Sequence, residues 1–337
     1  MIDTSHTSRL SYPYDVSVII VSFNTREVLR DCLHALARES AGLRIQTIIV
    51  DNGSHDGSID MLRVDFPFVE LIVSPENLGF GRANNLAFQS ARGRYIVLLN
   101  SDAFLTPDSL RRSVEHMDAD LCVGIGGGRL VGRDGGWQPS ARRFPTLITD
   151  AMVYSGLADR YAHSRIFGCY NRTWADPMEP AAVDWIPGAY SILRPEALTT
   201  AGVFDPRFFL YYEEVDLCRR IRAAGFTVWY WPDIVVIHIG GESSRQLKSL
   251  QMSRSGSQLT LWRMRSTLLY YRKHHGLASL GARFLEVAWN HFRALRRSRS
   301  RDVERRNEAA YFRAQADLME QAWKETRGGR TSPPQPW

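Results

Sequence analysis

Apolar residues in the first hundred positions fall into short, nearly continuous β-branched runs separated by helical spacing. Residues 16–22 form one such run, and 45–50, 69–73 and 95–99 form three more. Runs of this kind, with no polar alternation, predict strands covered on both faces, the pattern of a parallel sheet. Between them, Val28, Leu29, Cys32, Leu33 and Leu36 recur at three- and four-residue intervals and predict a helix. Residues 58–64 and 79–92 predict two more helices. The order βαβαβαβ predicts a doubly wound, mostly parallel sheet with right-handed crossovers, an α/β fold of Rossmann-like type.

Beyond residue 121 the regularity weakens. Glycines cluster between 124 and 136, and 140–180 carries no readable period. Order returns at 183–193, in a helix at 214–224 and in a strand at 227–231. Residues 249–275 and 277–306 predict helices, and the Gly/Pro-rich 327–337 predicts a loose tail. The chain then divides into a loosely ordered 1–15, an α/β domain at 16–244 with halves at 16–120 and 121–244, a helical extension at 245–326, and the tail at 327–337.

Composition narrows the class. The 337 residues are 44% hydrophobic and 23% charged, which is ordinary for a globular chain. The N-terminus is polar and lacks the apolar core of a signal peptide. No stretch approaches the roughly 20 apolar residues that span a bilayer. The four cysteines are not in metal-ligand spacing and fit a reducing compartment. These features predict a cytoplasmic protein. The net charge of +6 gathers late, at Arg293, Arg296, Arg297, Arg299, Arg301, Arg305 and Arg306. Such a stretch suits nucleic acid, anionic lipid or a solvated helix face. Without an aromatic platform or a recognisable motif, nucleic acid is the least supported of these.

Three polar clusters end three of the predicted strands: Ser22 and Asn24; Asp51, Asn52 and Asp56; and Asn100, Ser101 and Asp102. Ligands of open parallel sheets bind beyond the carboxyl ends of strands. A carboxylate such as Asp102 at a buried strand end suits a hard divalent cation shared with a diphosphate. Glu213, Asp216 and Arg220 share one helix face, and the adjacent acids Glu213 and Glu214 follow a run of aromatics. That setting points to a carboxyl with a raised pKa or a positioned base, against the plainer reading of acids complementing a helix dipole. His238 ends a β-branched run before two glycines, a place suited to a metal or phosphate ligand. No phosphate-binding P-loop is present, and Gly79 with Gly81 makes only a fragment of a dinucleotide fingerprint.

Together these pieces resemble the family 2 inverting glycosyltransferases of the GT-A fold, in particular their bacterial rhamnosyltransferase-like branch. The resemblance is carried by VIIVSFN at 18–24, VDNGSHDG at 50–57, ENLGFGRANN at 76–85, LLNSD at 98–102, WIPGA at 185–189, GVFDPRFFL at 202–210, EEVDLCRR at 213–220 and His238. It covers residues 16–244 in unbroken order. It implies that Asp51 contacts the pyrimidine base, and that Ser22, Asn24, Asn52, Asn77, Gly79, Asn85, Asn100 and Ser101 line the nucleotide-sugar site. It implies that Asp102 and His238 hold Mg²⁺ or Mn²⁺ and that Glu214, or Glu213, is the general base. Asn100 stands where the family's metal motif usually has its first Asp, and Glu214 where the family usually has Asp. Trp185, Gly188, Tyr211, Tyr212 and Asp216 are the expected acceptor side, with core packing the competing reading for the aromatics.

The implied activity is transfer of rhamnose or another hexose from a nucleoside-diphosphate sugar to a glycan or polyprenyl-linked acceptor in bacterial surface-polysaccharide synthesis. A UDP-hexose or UDP-N-acetylhexosamine donor and a catalytically silent scaffold are the alternatives. Finally, Leu277, Leu280, Phe284, Ala288, Phe292 and Leu295 form one apolar stripe bordered by Trp289 and followed by the arginines. This predicts either a peripheral helix on the anionic inner face of the cytoplasmic membrane, or a helix docked on the catalytic domain or on a second subunit of a homo-oligomer.

Overall fold

The computed structural model describes residues 12–39, 42–240 and 254–333. Most of residues 1–15 and the expected boundary at 244 lie outside the described residues. Four parallel strands form one half of the sheet: β1 (Tyr14–Ser22), β2 (Ile45–Asn52), β3 (Glu70–Ser74) and β4 (Gly93–Asn100), in the order β3-β2-β1-β4. Helices α1 (Arg26–Arg38), α2 (Ser58–Asp65) and α3 (Phe80–Phe88) make the crossovers. The continuous apolar run of β1 is explained by its two covered faces. Val16, Val18 and Ile20 pack with Leu29, Leu33 and Leu36 of α1, while Ile19 packs with Ala83 and Ala87 of α3. Burying each such large side chain contributes roughly 1.5–3 kcal/mol.

The sheet continues through short β5 (Ala103–Leu105), β6 (Val123–Val131), β9 (Tyr190–Leu193) and β10 (Thr227–His238) in the order β4-β9-β6-β10-β5. Two-residue strands β7 (Trp137–Gln138) and β8 (Ala181–Ala182) pair with β6 and β10. Strands β6 and β10 are parallel, whereas β9 and β5 run antiparallel to their neighbours. The sheet is therefore mostly parallel, as the pattern predicts. Strand β10 runs seven residues past the predicted Trp231, carrying Pro232 through a register shift between Trp231 and Val235. Only the last four residues of 183–193 form a strand, and α3 stops at Phe88 rather than Arg92. Helices α4 (Ser109–Ala119), α5 (Leu147–Tyr154), α6 (Leu157–Arg160), α7 (Pro195–Ala201) and α8 (Glu213–Ala223) complete this part.

Three helices follow: α9 (Arg254–His275), α10 (Ala278–Ser298) and α11 (Val303–Glu325). The helix predicted over 277–306 is thus two helices. Ser298, Ser300 and Asp302 interrupt it, because their side chains favour helix ends over helix interiors. Ser300 Oγ accepts from the Asp302 amide at 3.2 Å, and the Asp302 carbonyl takes the Arg306 amide as α11 begins. Residues 327–333, predicted as loose, pack instead. Gly329, at φ +84°, passes so close to α9 that a Cβ would lie 2.1 Å from the Leu268 carbonyl oxygen. Leu261, Met264 and Leu268 of α9 meet Met319 and Ala322 of α11 in a separate small core.

Ion pairs tie α9 to α8. Lys273 Nζ reaches Asp205 at 2.7 Å and Asp216 at 2.6 Å, and Asp216 also receives His274 Nε2 at 2.7 Å and Arg220 Nε at 2.8 Å. Burial pushes both carboxyls up, but Arg207 and Lys273 at Asp205, and His274, Arg220 and Lys273 at Asp216, outweigh it and hold both below the usual carboxylate range. A depressed folded-state pKa contributes stability that is complete above the unfolded value, about 3.9, and is lost as the pH falls through the folded one. Lys273→Met should therefore lower urea stability at neutral pH by about 1.5–3 kcal/mol. The gap from the native chain should narrow below about pH 4. An unchanged denaturation midpoint at neutral pH would contradict this anchor.

Candidate functional site

The polar strand ends converge at the carboxyl edge of β1, β2 and β4. Ser22 Oγ lies 3.0 Å from Thr25 Oγ1, which donates to Ser101 Oγ at 3.1 Å and so ties the end of β1 to the end of β4. Asn24 adopts φ +52°; its amide donates to Ser54 Oγ, and its Oδ1 accepts from the His55 amide at 2.8 Å. Both groups shape the loop after β2. That loop presents Asp51, which is fully buried. Its Oδ1 accepts from the Ser54 amide at 3.0 Å, whereas Oδ2 has no hydrogen-bond partner. A buried carboxylate oxygen without a donor costs free energy unless a ligand supplies one.

The neighbouring asparagines are spent differently. Asn52 donates to Asn77 Oδ1 and to the Gly79 carbonyl, and accepts from the Leu78 amide. Asn77 Oδ1 takes the Gly79 amide at 2.8 Å. Asn85 grips Phe204 through both its backbone amide and its carbonyl. The side chains of Asn52, Asn77 and Asn85 therefore hold the backbone around the site in place. Gly79, at φ +80°, lets the backbone of 209 approach to where a Cβ would stand 2.1 Å from the Phe209 carbonyl oxygen. At Gly188 a Cβ would stand 3.0 Å from the Phe80 ring, a tighter approach than most side chains make.

Asp102 and His238 are 136 positions apart and meet because β5 pairs antiparallel with β10, with Ala103 opposite His238. His238 Nε2 lies 3.5 Å from Asp102 Oδ1. Gln138 closes a ring with the histidine: its Nε2 donates to the His238 carbonyl at 2.8 Å, and its Oε1 faces Nδ1 at 3.0 Å. An amide oxygen can only accept, so Nδ1 carries the proton and the Nε2 lone pair of a neutral ring points toward the carboxylate. Two acceptors facing each other at this distance suit a cation shared between them. Among the described residues no group of three or more His, Cys, Asp or Glu could hold a metal.

The acid pair opens α8. Tyr211 and Tyr212 precede it with φ of +70° and +68°, a left-handed pair that is uncommon for aromatic residues. Glu213 and Glu214 each have an Oε2 buried without a hydrogen-bond partner. Burial, then the neighbouring Glu214, raises Glu213 well above its ordinary value; burial raises Glu214 too, opposed in part by the charge of Arg142. Glu213 lies against Gly81, its Cβ 3.6 Å from the position a Cβ there would take. Arg142 was outside the sequence expectations, because the segment around it carries no period; its guanidinium also sits 4.9 Å above the Trp185 ring.

Two expected acceptor residues are used otherwise. Trp185 is a buried core residue whose Nε1 donates to the Arg143 carbonyl at 2.7 Å, so packing claims its faces. Asp216 is fully buried in the ion pairs with α8 and α9. Tyr211 stays exposed, and Tyr212 lies against Tyr270 with ring centroids 5.3 Å apart. Gln138 and Thr25, which position His238 and Ser101, carried no signal in the sequence beyond being polar.

Known proteins resemble this chain in sequence and in fold. Residues 17–174 match the model of Glycosyl transferase family 2. The N-acetylglucosaminyl-diphospho-decaprenol L-rhamnosyltransferase of Mycobacterium tuberculosis is 28% identical over 205 residues, 58% of this chain and 66%, just under two thirds, of that protein. Rhamnosyltransferase WbbL of Escherichia coli is 24% identical over 278 residues, 78% of this chain and 95% of that protein. The mannosyltransferase PcManGT of Pyrobaculum calidifontis, solved with GDP-Man and Mn²⁺, shares the fold with a TM-score of 0.53 at 15% identity, over 94% of this chain and 88% of that one.

The asparagine assignments can be separated by one substitution. Asn85→Ala removes two hydrogen bonds to Phe204 and should cost about 1–3 kcal/mol in urea unfolding. Nucleotide affinity measured by titration calorimetry should stay unchanged. Lost affinity with unchanged stability would return Asn85 to the ligand-facing set.

Proposed function

We propose, from the match of residues 17–174 to the Glycosyl transferase family 2 model, that this chain transfers one sugar from a nucleoside-diphosphate donor to a hydroxyl of a glycan or polyprenyl-linked acceptor, with inversion. The donor is a rhamnose-like hexose, a reading supported by the names of the M. tuberculosis and E. coli relatives. The observation that carries the proposal is the approach of His238 to Asp102 at the strand ends, at the same edge of the sheet as the unpartnered oxygen of Asp51. Asp51 Oδ2 accepts from the pyrimidine base. Asp102 and His238 are the residues that would hold Mg²⁺ or Mn²⁺. When bound, such a cation offsets the negative charge that develops on the departing diphosphate.

Glu214 acts as the base. It takes the proton of the acceptor hydroxyl, and the acceptor oxygen attacks the anomeric carbon from the face opposite the diphosphate. The bond from that carbon to the diphosphate oxygen breaks, and the nucleoside diphosphate leaves with the electron pair. One displacement inverts the centre. Tyr211, exposed beside the acids, offers a face for the acceptor sugar. The chain works on the cytoplasmic side of the membrane that carries the acceptor. Among the described residues no helix is long and apolar enough to cross a membrane.

Asp102→Asn should abolish cation-dependent turnover in a donor-hydrolysis and transfer panel run over dTDP- and UDP-sugars, while the thermal melt stays native. Gln138→Leu should weaken cation-dependent nucleotide binding by about 10–100-fold through loss of histidine orientation. Glu214→Gln should lower transfer by roughly 10²–10⁴-fold and leave donor binding intact. Inactivity of Glu213→Gln instead would move the base back by one residue. A base works deprotonated, and burial raises Glu214, so kcat should fall as the pH drops through a value above the ordinary 4.5. Full activity of both Gln variants would place the base elsewhere.

A further inference from the structure

Helix α10 is inverted relative to a simple docking helix. Its buried side is small or polar, with Ser279, Ala282, Glu286, Asn290 and Ala294. Glu286 is satisfied there by Arg263 and by Tyr154 Oη at 3.1 Å. The apolar stripe faces outward instead: Leu280 is 46% exposed, Leu295 51%, Leu277 70% and Phe284 74%. A row of large apolar side chains left in the open marks an interaction surface.

Beside this stripe lies a cavity of about 560 Å³, between the turn at 154–156 and the end of α10. Its wall carries Arg293, Arg296, Arg297 and Arg305, together with Trp289 and Phe292. Arg297 pairs with Glu308 at 3.0 Å and Arg305 with Asp302 at 3.7 Å, and Arg293 lies 4.0 Å over the Phe312 ring. The guanidinium excess remains, and its planar forks match phosphate oxygens better than any other side chain does. The buried Nε1 of Trp289 has no hydrogen-bond partner, which leaves a donor on the same wall in want of an acceptor. Phe292, 51% exposed, belongs to both the cavity wall and the stripe. The occupant therefore carries a phosphate joined to something apolar.

We propose that this cavity binds the phosphate of an anionic membrane lipid while the stripe on α10 rests among the upper acyl segments. Trp, Phe and Leu beside a row of arginines is the composition of a helix lying in a bilayer interface. A second copy of the chain is a poorer occupant, because a two-fold pairing through this face would set arginines against arginines. The proposal is independent of the sugar-transfer reading, since the assay below contains no donor and no acceptor.

The test is co-sedimentation of the full chain with vesicles of phosphatidylcholine, with and without phosphatidylglycerol. Binding should require phosphatidylglycerol and weaken with salt. Arg296→Glu should lower the partition coefficient at least about fivefold. Phe284→Ser, at an exposed position that the fold does not need, should lower it as well, with the thermal melt unchanged for both variants. Inorganic phosphate at constant ionic strength should not release the protein, because it lacks the acyl part that the stripe contacts. Release by phosphate would assign the cavity to a soluble anion and overturn the lipid site. Equal binding to pure phosphatidylcholine, indifference to both substitutions, or equally tight and equally variant-sensitive binding to a DNA duplex would each overturn it too.

Discussion

The antiparallel ladder of Ala103–Leu105 against Val236–His238 is the constraint on which the site depends. It joins the carboxyl end of β4, where Asp102 sits, to the end of β10, where His238 sits. Neither residue could meet the other through local sequence. The ladder also explains the length of β10. Stopping at Trp231 would leave the strand short of β5, so the chain runs through a bulge at Pro232 and keeps pairing until the histidine is in place. Gln138, from the small strand beside β6, then fixes the ring of His238 from its far side.

The first half of the fold was legible because its strands are covered on both faces and its helices are amphipathic. Val16 to Ile20 and the spacing of Leu29, Leu33 and Leu36 announce their partners directly. The second half was less so for identifiable reasons. Strand β9 contributes only four residues, and β7 and β8 only two each. Such segments are specified by the sheet they join and not by their own period. The segment 140–180 holds Arg142 by backbone pairing with Trp185 and by cation–π contact, which leave no periodic trace. The break between α10 and α11 lay in view as Ser298, Ser300 and Asp302, and the helical pattern on either side masked it.

At the site, the sequence identified which loops gather but not what each side chain does in them. Short polar residues at strand ends serve ligands and turn backbones equally well. Asp51 keeps an oxygen free of partners, while Asn52, one residue on, has its amide committed on both sides to residues 77–79. Glu213 and Asp216 share a helix face, yet one is buried without a donor at Oε2 and the other is surrounded by cations from α8 and α9. Only tertiary placement separates these pairs.

The left-handed tyrosines ahead of α8 carry a consequence for the whole chain. Each such conformation costs of order 1–3 kcal/mol and persists only where its surroundings over-determine it. Here the surroundings are the Phe80 amide on the Phe209 carbonyl, Ser266 Oγ on the Leu210 carbonyl and the Tyr270 ring on Tyr212. Two of those three come from α9. The helical extension and the acid pair are thus thermodynamically linked: whatever steadies α9 holds the tyrosines in their strained wells, and whatever loosens it lets the start of α8 relax. An event at the outer helices would reach Glu213 and Glu214 as a shift in equilibrium, without touching the sheet.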